Sequence, residues 1–454
     1  MVQLGLLLLG SDFIRRRWLI LAVGGALWAA LGVAIFIDAL DNVLYFPLHV
    51  FGYLLLVEAV VTLAVSAPRQ GTPSALRKAR GVVFLILGLL IIDQHHAASV
   101  ILAMAFGLAF LADGIFRIAA AAVVRFRGWR LSLCTGLLEV GFAAFMFEPY
   151  PTFYTGTVPY CIGMGFFLTG CGLLRQAWRL KKLPDHAVLS WLLMRDAAVS
   201  DAGFTPEPLD DVASDLVVYV WTPSGSVDNA VPQPLVDRYI AAVDAKGVIS
   251  TGHAALGSAP DIYVSHYPAV EIDRSTGDFA SMLRATVANN VAGKFQPSYE
   301  EEVAGWCESN TEVRFDHFDR QRLRAFWMRY RQDTTYNLTN RNCSSSVAHC
   351  LEAALEGSSA KRGFLRTMVN PDLWVAAQLR KRAEAMAWTP GLVLDYARAL
   401  KVAIQPTPLG WYTLVASAGR FWRYVLAFYR GGRVGGVSID EKSSAHAPRK
   451  RSIE

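Results

Sequence analysis

"TNRNCSSSVAHCLEAALE", residues 339–356, sets a cysteine in a polar loop where an alanine- and leucine-rich helix opens. The thiolate is the reactive form of cysteine, and the unpaired N–H groups and dipole of a helix N-terminus lower a thiol's pKa. Cys343 has that placement. Cys350 falls two turns into the same helix, a position for core packing, and Cys307 follows Trp306 in a helical stretch without a polar setting. The same features of Cys343 also fit a buried thiol at a helix cap, so its partners must decide.

A nucleophilic cysteine needs a base, and the base needs an orienting group. His253, in "TGHAALGS", lies on a short strand among small residues that leave room for a substrate. His266, in "DIYVSHYP", lies on the next strand. With those strands adjacent and antiparallel, His253 takes the thiol proton and His266 holds His253 through its other ring nitrogen. Asn337, in "YNLTNRNC", is the candidate to join the Cys343 backbone N–H in stabilising an oxyanion. The chain has no P-loop, no GxGxxG after a strand, no HExxH and no GxSxG. Its six cysteines are dispersed without a CxxC pair, so neither a metal nor another cofactor is expected.

Histidine on a strand, a polar residue on the next strand, then a cysteine opening a helix: this order resembles the circularly permuted papain-like fold of NlpC-type peptidases and amidases and of the lecithin retinol acyltransferase group. "GHAAL", "YVSHYP" and "YNLTNRNCSSSVAHCLEAAL" carry the likeness over about residues 214–357. It implies His253 as base, His266 as orienter and Cys343 as nucleophile. The gap between histidine and cysteine holds an inserted helical segment, and three serines follow the cysteine, so the substrate class stays open.

The remainder of the chain has a different composition. Of 454 residues, 53% are hydrophobic and only 18% charged, and six apolar runs crowd into 18–37, 44–66, 80–92, 97–122, 131–147 and 153–174. Runs near 20 residues span a bilayer as helices. The net charge of +6 sits in clusters beside those runs and in the tail, which fits membrane topology and not nucleic-acid binding. Basic residues flank the runs at Arg15–Arg17, Arg69–Arg80, Arg117–Arg130 and Arg175–Lys182, whereas "DALDN", "DQHHA" and "EPYPT" hold none. By the positive-inside rule both ends of this half, and everything after it, are cytoplasmic. "FID", "IID" and "MFE", ending at Asp38, Asp93 and Glu148, recur every 55 residues, which predicts three helical hairpins, each closed by an acidic outer turn. Glu58 and Asp113 share that spacing and are expected to pair locally near the cytoplasmic ends, with proton or ion handling as the alternative. The opening "MVQLGLLLLGSDFIRRRWLI" lacks a cleavage site and predicts an interfacial helix. Entrance, six spans and repeat together resemble the HdeD family of acid-resistance membrane proteins over about residues 1–180. That likeness implies a bacterial inner-membrane protein linked to stress or acid resistance and supplies no catalytic residue.

The expected organisation is therefore multi-domain: an interfacial helix at 1–17, a six-helix membrane domain at 18–182, a linker at 183–213, and an α+β papain-like domain at 214–387. C-terminal helices at 388–430, suited to a membrane surface, and a disordered basic tail at 431–454 follow. The expected partners are the lipid bilayer and an amide or ester substrate of unknown identity, with room for a homo-oligomer through the membrane domain. The expected activity is that of a membrane-tethered cysteine peptidase or amidase working through an acyl-enzyme. The rivals are a non-catalytic stress protein with a partner-binding domain and a lipid-directed acyl transferase.

Overall fold

A computed structural model describes residues 1–11, 18–40, 48–66, 72–93, 95–126, 128–150, 153–181, 189–190, 215–221, 242–243, 249–250, 252–270, 283–360, 367–368 and 370–405. Most of the expected linker, the amphipathic segment after residue 405 and the basic tail lie outside these residues.

The chain starts with a short helix, α1 (Val2–Leu9), followed by six long ones: α2 (Trp18–Asp38), α3 (Leu48–Ser66), α4 (Thr72–Ile92), α5 (His96–Val124), α6 (Trp129–Phe147) and α7 (Thr157–Lys181). Four of them, α2, α5, α6 and α7, are long and apolar enough to cross a membrane. In α3 the apolar stretch is shorter, His49–Leu63, and α4 carries Arg77, Lys78 and Arg80 in its first half.

These helices pair closely as α2 with α7, α3 with α4, and α5 with α6. The expected hairpins, closed by acidic turns, are thus not the tight ones; two of the close pairs run across basic connections, and the third joins first helix to last. Glycines explain the choice. A Cβ on Gly52 would lie 3.1 Å from the Gly88 carbonyl oxygen, one on Gly114 2.8 Å from that of Gly136, and one on Gly32 2.6 Å from that of Gly163. Backbones this close gain dispersion contacts that lipid does not offer, and any larger residue would part them. Gly52 and Gly107, and Gly81 and Gly136, are 55 residues apart, so the repeat keeps one glycine of the α3–α4 and α5–α6 contacts and none of the α2–α7 contact. Glu58 pairs with Arg80. Asp113 accepts from Arg117 at 2.9 Å, and Arg117 also meets Glu139 at 2.8 Å. The expected local pairing therefore holds for Asp113 with Arg117, but Asp113 also meets Lys381 at 3.5 Å and Glu58 finds its partner on the next helix.

The soluble half is a four-stranded antiparallel sheet in the order β5–β4–β1–β8, formed by β1 (Leu216–Trp221), β4 (His253–Ser258), β5 (Ile262–Val264) and β8 (Thr311–Phe315). A two-residue ladder, β2 (Ala242–Val243) with β3 (Ile249–Ser250), precedes β4. Beside the main sheet runs a second one, β6–β7–β9, from β6 (His266–Pro268), β7 (Val291–Phe295) and β9 (Thr335–Tyr336). The helices are α8 (Tyr299–Gly305), α9 (Arg320–Tyr330), α10 (Cys343–Leu355), α11 (Pro371–Ala385) and α12 (Pro390–Ile404). Alternation in β1 sends Leu216, Val218 and Val220 into the main core with Ala254 and Leu256 of β4 and Val347, Leu351 and Leu355 of α10. All 13 residues of α10 are buried.

Two boundaries differ from expectation. Residues 390–404 belong to this core, since Leu392, Val393, Tyr396 and Leu400 of α12 are buried in it. So does α1, whose Leu4, Leu7 and Leu8 enter the same cluster. A run of leucines without charges suits a protein core as well as a membrane interface. Here the gain of about 1.5–3 kcal/mol for each fully buried leucine goes to the core. The Glu356 carboxylate ties the halves together. It accepts from the Ser11 N–H at 3.2 Å, the Leu189 N–H at 2.8 Å and Arg322 at 2.7 Å, so one buried group holds the chain where it approaches α2 and where it returns from α7. The buried ion pair of Arg77 with Asp372, and Arg80 lying 4.7 Å over the Trp374 ring, seat α4 on α11. The soluble half therefore packs on the basic-flank side of the helices.

Candidate active site

The loop before α10 ends in Asn342, whose side chain accepts from the Ser345 N–H at 2.8 Å while the Ser345 hydroxyl accepts from the Asn342 N–H at 2.8 Å. This reciprocal cap starts the helix sharply at Cys343. Each of the three serines has a separate duty. The Ser344 hydroxyl lies 3.7 Å from the Cys343 sulfur, Ser345 closes the cap, and Ser346 donates to the Asn342 carbonyl at 2.9 Å.

His253 opens β4 opposite Trp221 of β1. Its ring stacks on Tyr267, centroids 4.2 Å apart, and faces Cys343 closely enough that each group shifts the other's charge. Its Nε2 lies 2.9 Å from the Ser265 hydroxyl and 3.2 Å from Oε1 of Glu302. With Nε2 so engaged, Nδ1 is the nitrogen left for the thiol. Glu302, in the first turn of α8, is buried. It accepts from Tyr263 at 2.5 Å and from Tyr267 at 2.6 Å, which fixes it against the imidazole.

The electrostatics follow the geometry. Burial alone would raise the Cys343 pKa, but the facing His253, the Ser344 hydroxyl and the Ala254 N–H bring it below the ordinary thiol value. Burial alone would lower that of His253, but Cys343 and Glu302 hold it up, to about 9. Glu302 is pressed upward by burial and, more strongly, downward by His253 and the two tyrosines, to about 2. The three groups thus favour thiolate, imidazolium and carboxylate together.

The structure places the four sequence-derived candidates as follows. It joins Cys343 to His253. It does not join His266 to His253: the buried His266 ring stacks on Phe295 at 4.4 Å, and its Nδ1 faces the Ser346 hydroxyl at 3.3 Å. Burial, with Arg341 nearby, pushes its pKa down to about 4, so it is neutral. Successive residues of a strand point to opposite faces. Ser265 takes the side toward His253, and His266 takes the core side. Asn337 is also committed elsewhere. Its amide donates to Asn290 at 3.0 Å, and its carbonyl oxygen accepts from the Thr339 and Asn340 N–H groups. It shapes the loop that leads to Cys343.

Glu302 is the residue that the sequence did not mark. "SYEEEVAG" reads as a capped helix start with a solvated acidic run. The only local signal is the pair Tyr263 and Tyr267, two phenols whose hydroxyls meet one carboxylate. Beside Cys343 opens a cavity of about 320 Å³, with Ser344 and Asn342 also on its wall.

Comparison with known proteins reaches only the membrane half. Residues 79–148 match the short repeat of unknown function DUF308, which is associated with HdeD-like membrane proteins. No curated protein and no solved structure matches the chain. The matched span runs from α4 through α6 and includes both Asp113 and Arg117.

Proposed function

We propose that this protein is a membrane-tethered cysteine hydrolase that cleaves an amide or ester through an acyl-enzyme. The observation that carries the reading is the buried chain Cys343–His253–Glu302 at the N-terminus of α10. Cys343 is the nucleophile. His253 holds the thiol proton as imidazolium, passes it to the leaving group, and then deprotonates the attacking water. Glu302 orients His253 and stabilises its charge, the part that the sequence suggested for His266. The first N–H groups of α10 have no intrahelical acceptors, and we assign that of Cys343 to the oxyanion. The papain-like likeness supports the same roles for Cys343 and His253. An inward-facing soluble half on six spans in an inner membrane is part of this proposal, supported by the basic flanks.

The test is alkylation of the full-length protein by iodoacetamide at pH 7, with the label located by mass spectrometry. Cys343 should react well ahead of a free thiol, and His253→Ala should slow it by about tenfold or more. A rate equal to that of a free thiol, unchanged by loss of His253, would remove the hydrolase reading.

A further inference from the structure

The cavity beside Cys343 has walls from both halves of the molecule. Phe116, Ala120, Val123 and Val124 of α5 line one side, and Leu338, Met386 and Trp388 of the soluble half line the other. With Ala119, the α5 residues fall at 116, 119, 120, 123 and 124, the spacing of a single apolar helical face. Part of that face is left open: Ala119 and Val123 are exposed, Val123 by 42%, while Ala120 and Val124 are buried.

The depth of this face in a bilayer follows from length. α5 has 29 residues, about 43 Å at about 1.5 Å per residue, whereas a hydrocarbon core is about 30 Å thick. Its N-terminus, at His96, follows the outer acidic turn. With His96 at one boundary, about 20 residues bring Phe116 to the other, and the turns up to Val124 rise from there through the headgroup layer toward the soluble half. Arg382, which also lines the cavity, is exposed and has no ion pair among the described residues. It stands at headgroup level, where an anionic group would meet it.

We infer that α5 of the membrane half is a wall of the active site, and that the substrate is an acyl-bearing lipid of the adjoining leaflet, its chain lying along Phe116–Val124 and its carbonyl at Cys343. The inference rests on the hydrolase reading and adds the substrate class. The Cys343 thiolate attacks the acyl carbonyl, and the C–O or C–N bond to the lipid breaks. The His253 proton goes to the departing alcohol or amine. Water then cleaves the thioester, returning one proton to the site and releasing the fatty acid.

The experiment uses the full chain in proteoliposomes that hold a phosphatidylglycerol with a fluorescent acyl chain, and in parallel p-nitrophenyl esters of 4 to 12 carbons. Release of fluorescent fatty acid that depends on Cys343 is expected. The kcat/KM for the esters should rise by up to about fourfold for each methylene that the cavity buries. Val123→Trp on α5 and Met386→Trp on the opposite wall should each lower the long-to-short ratio by about tenfold or more. Taking that ratio within each variant cancels partitioning of esters into the membrane. Two variants on separate elements guard against one failing to fold. If p-nitrophenyl butyrate is cleaved in a Cys343-dependent way but the labelled lipid is not, or neither tryptophan changes the ratio, the lipid inference is overturned and the hydrolase reading stands. If no ester is cleaved through Cys343, both are overturned.

Discussion

Cys343 and Cys350 lie on the same helix, both buried, with contrary chemistry. Cys350 sits among Val347, Leu351 and Ala354 in the main core, and burial drives its pKa far up, so it stays a thiol. Cys343 suffers the same desolvation but stands at the helix start, facing His253, the Ser344 hydroxyl and the Ala254 N–H, and its pKa falls. Burial is common to both and accounts for Cys350, but it cannot account for the contrast. What differs is whether the anion finds donors, and a helix N-terminus beside a strand end supplies them. The sharpest way to break this contrast is Cys343→Ala. It should lower ester turnover by more than about a thousandfold, because the remaining groups cannot form the acyl-enzyme. Residual turnover within tenfold of the parent would place the nucleophile elsewhere.

The far end of α10 can be broken separately. Glu352 accepts from Arg380 at 2.7 Å and 3.2 Å and from Tyr396 at 2.8 Å, joining α10, α11 and α12 inside the core. Glu352→Ala leaves the Arg380 guanidinium buried without that partner, at a cost of about 3–5 kcal/mol. A fall in denaturant midpoint, with normal Cys343 alkylation in the protein that remains folded, is the expected outcome. An unchanged midpoint would show that the pair carries no stability.

Glu302 offers a smaller effect with a diagnostic pH dependence. The imidazolium of His253 persists up to about pH 9 because thiolate and carboxylate both face it. The pair's apparent pKa values bound the active form. Activity should therefore fall as the pH rises through about 9, where the imidazolium is lost, and again in acid, where the depressed Cys343 thiolate takes up its proton. Glu302→Gln removes one of the two charges that raise His253. The alkaline limb should move to lower pH, and kcat should drop by about a hundredfold. His266→Gln, at a neutral core ring, should leave the alkaline limb in place while lowering stability. A limb that moves with His266 and not with Glu302 would restore the orienter that the sequence suggested.

These particulars also show what the sequence could and could not convey. Cys343 and His253 were legible because each sits at the end of its own element, where local pattern fixes placement. Four helices that are long and apolar enough to cross a membrane were legible from apolar length. The partner of His253 was not, because Glu302 arrives on a helix inserted between strand and cysteine, and its burial depends on Tyr263 and Tyr267 meeting it across a turn. Strand neighbours also mislead by one residue: Ser265 and His266 point oppositely, and only the three-dimensional register says which faces His253. The choice of helix pairs hung on glycines whose partners are distant in the chain, such as Gly32 and Gly163. The entry of α1 into the soluble core hung on a site built by residues more than 300 positions later, among them Glu356.

The smallest expected effect tests the quiet member of the pair. Cys350 is fully buried in the core and has no facing charge comparable to His253. Cys350→Ala removes one sulfur atom and leaves a small void, which should lower stability by about 1 kcal/mol. Because the helix start is held by the Asn342–Ser345 cap and not by packing at residue 350, the first turn should keep its geometry. The alkylation rate of Cys343 and its pH profile should then match the parent within a factor of about two, as expected for sites that share no partner. A larger change would mean that the core transmits strain along α10 to the thiolate, and that the two cysteines belong to one unit despite their opposite environments.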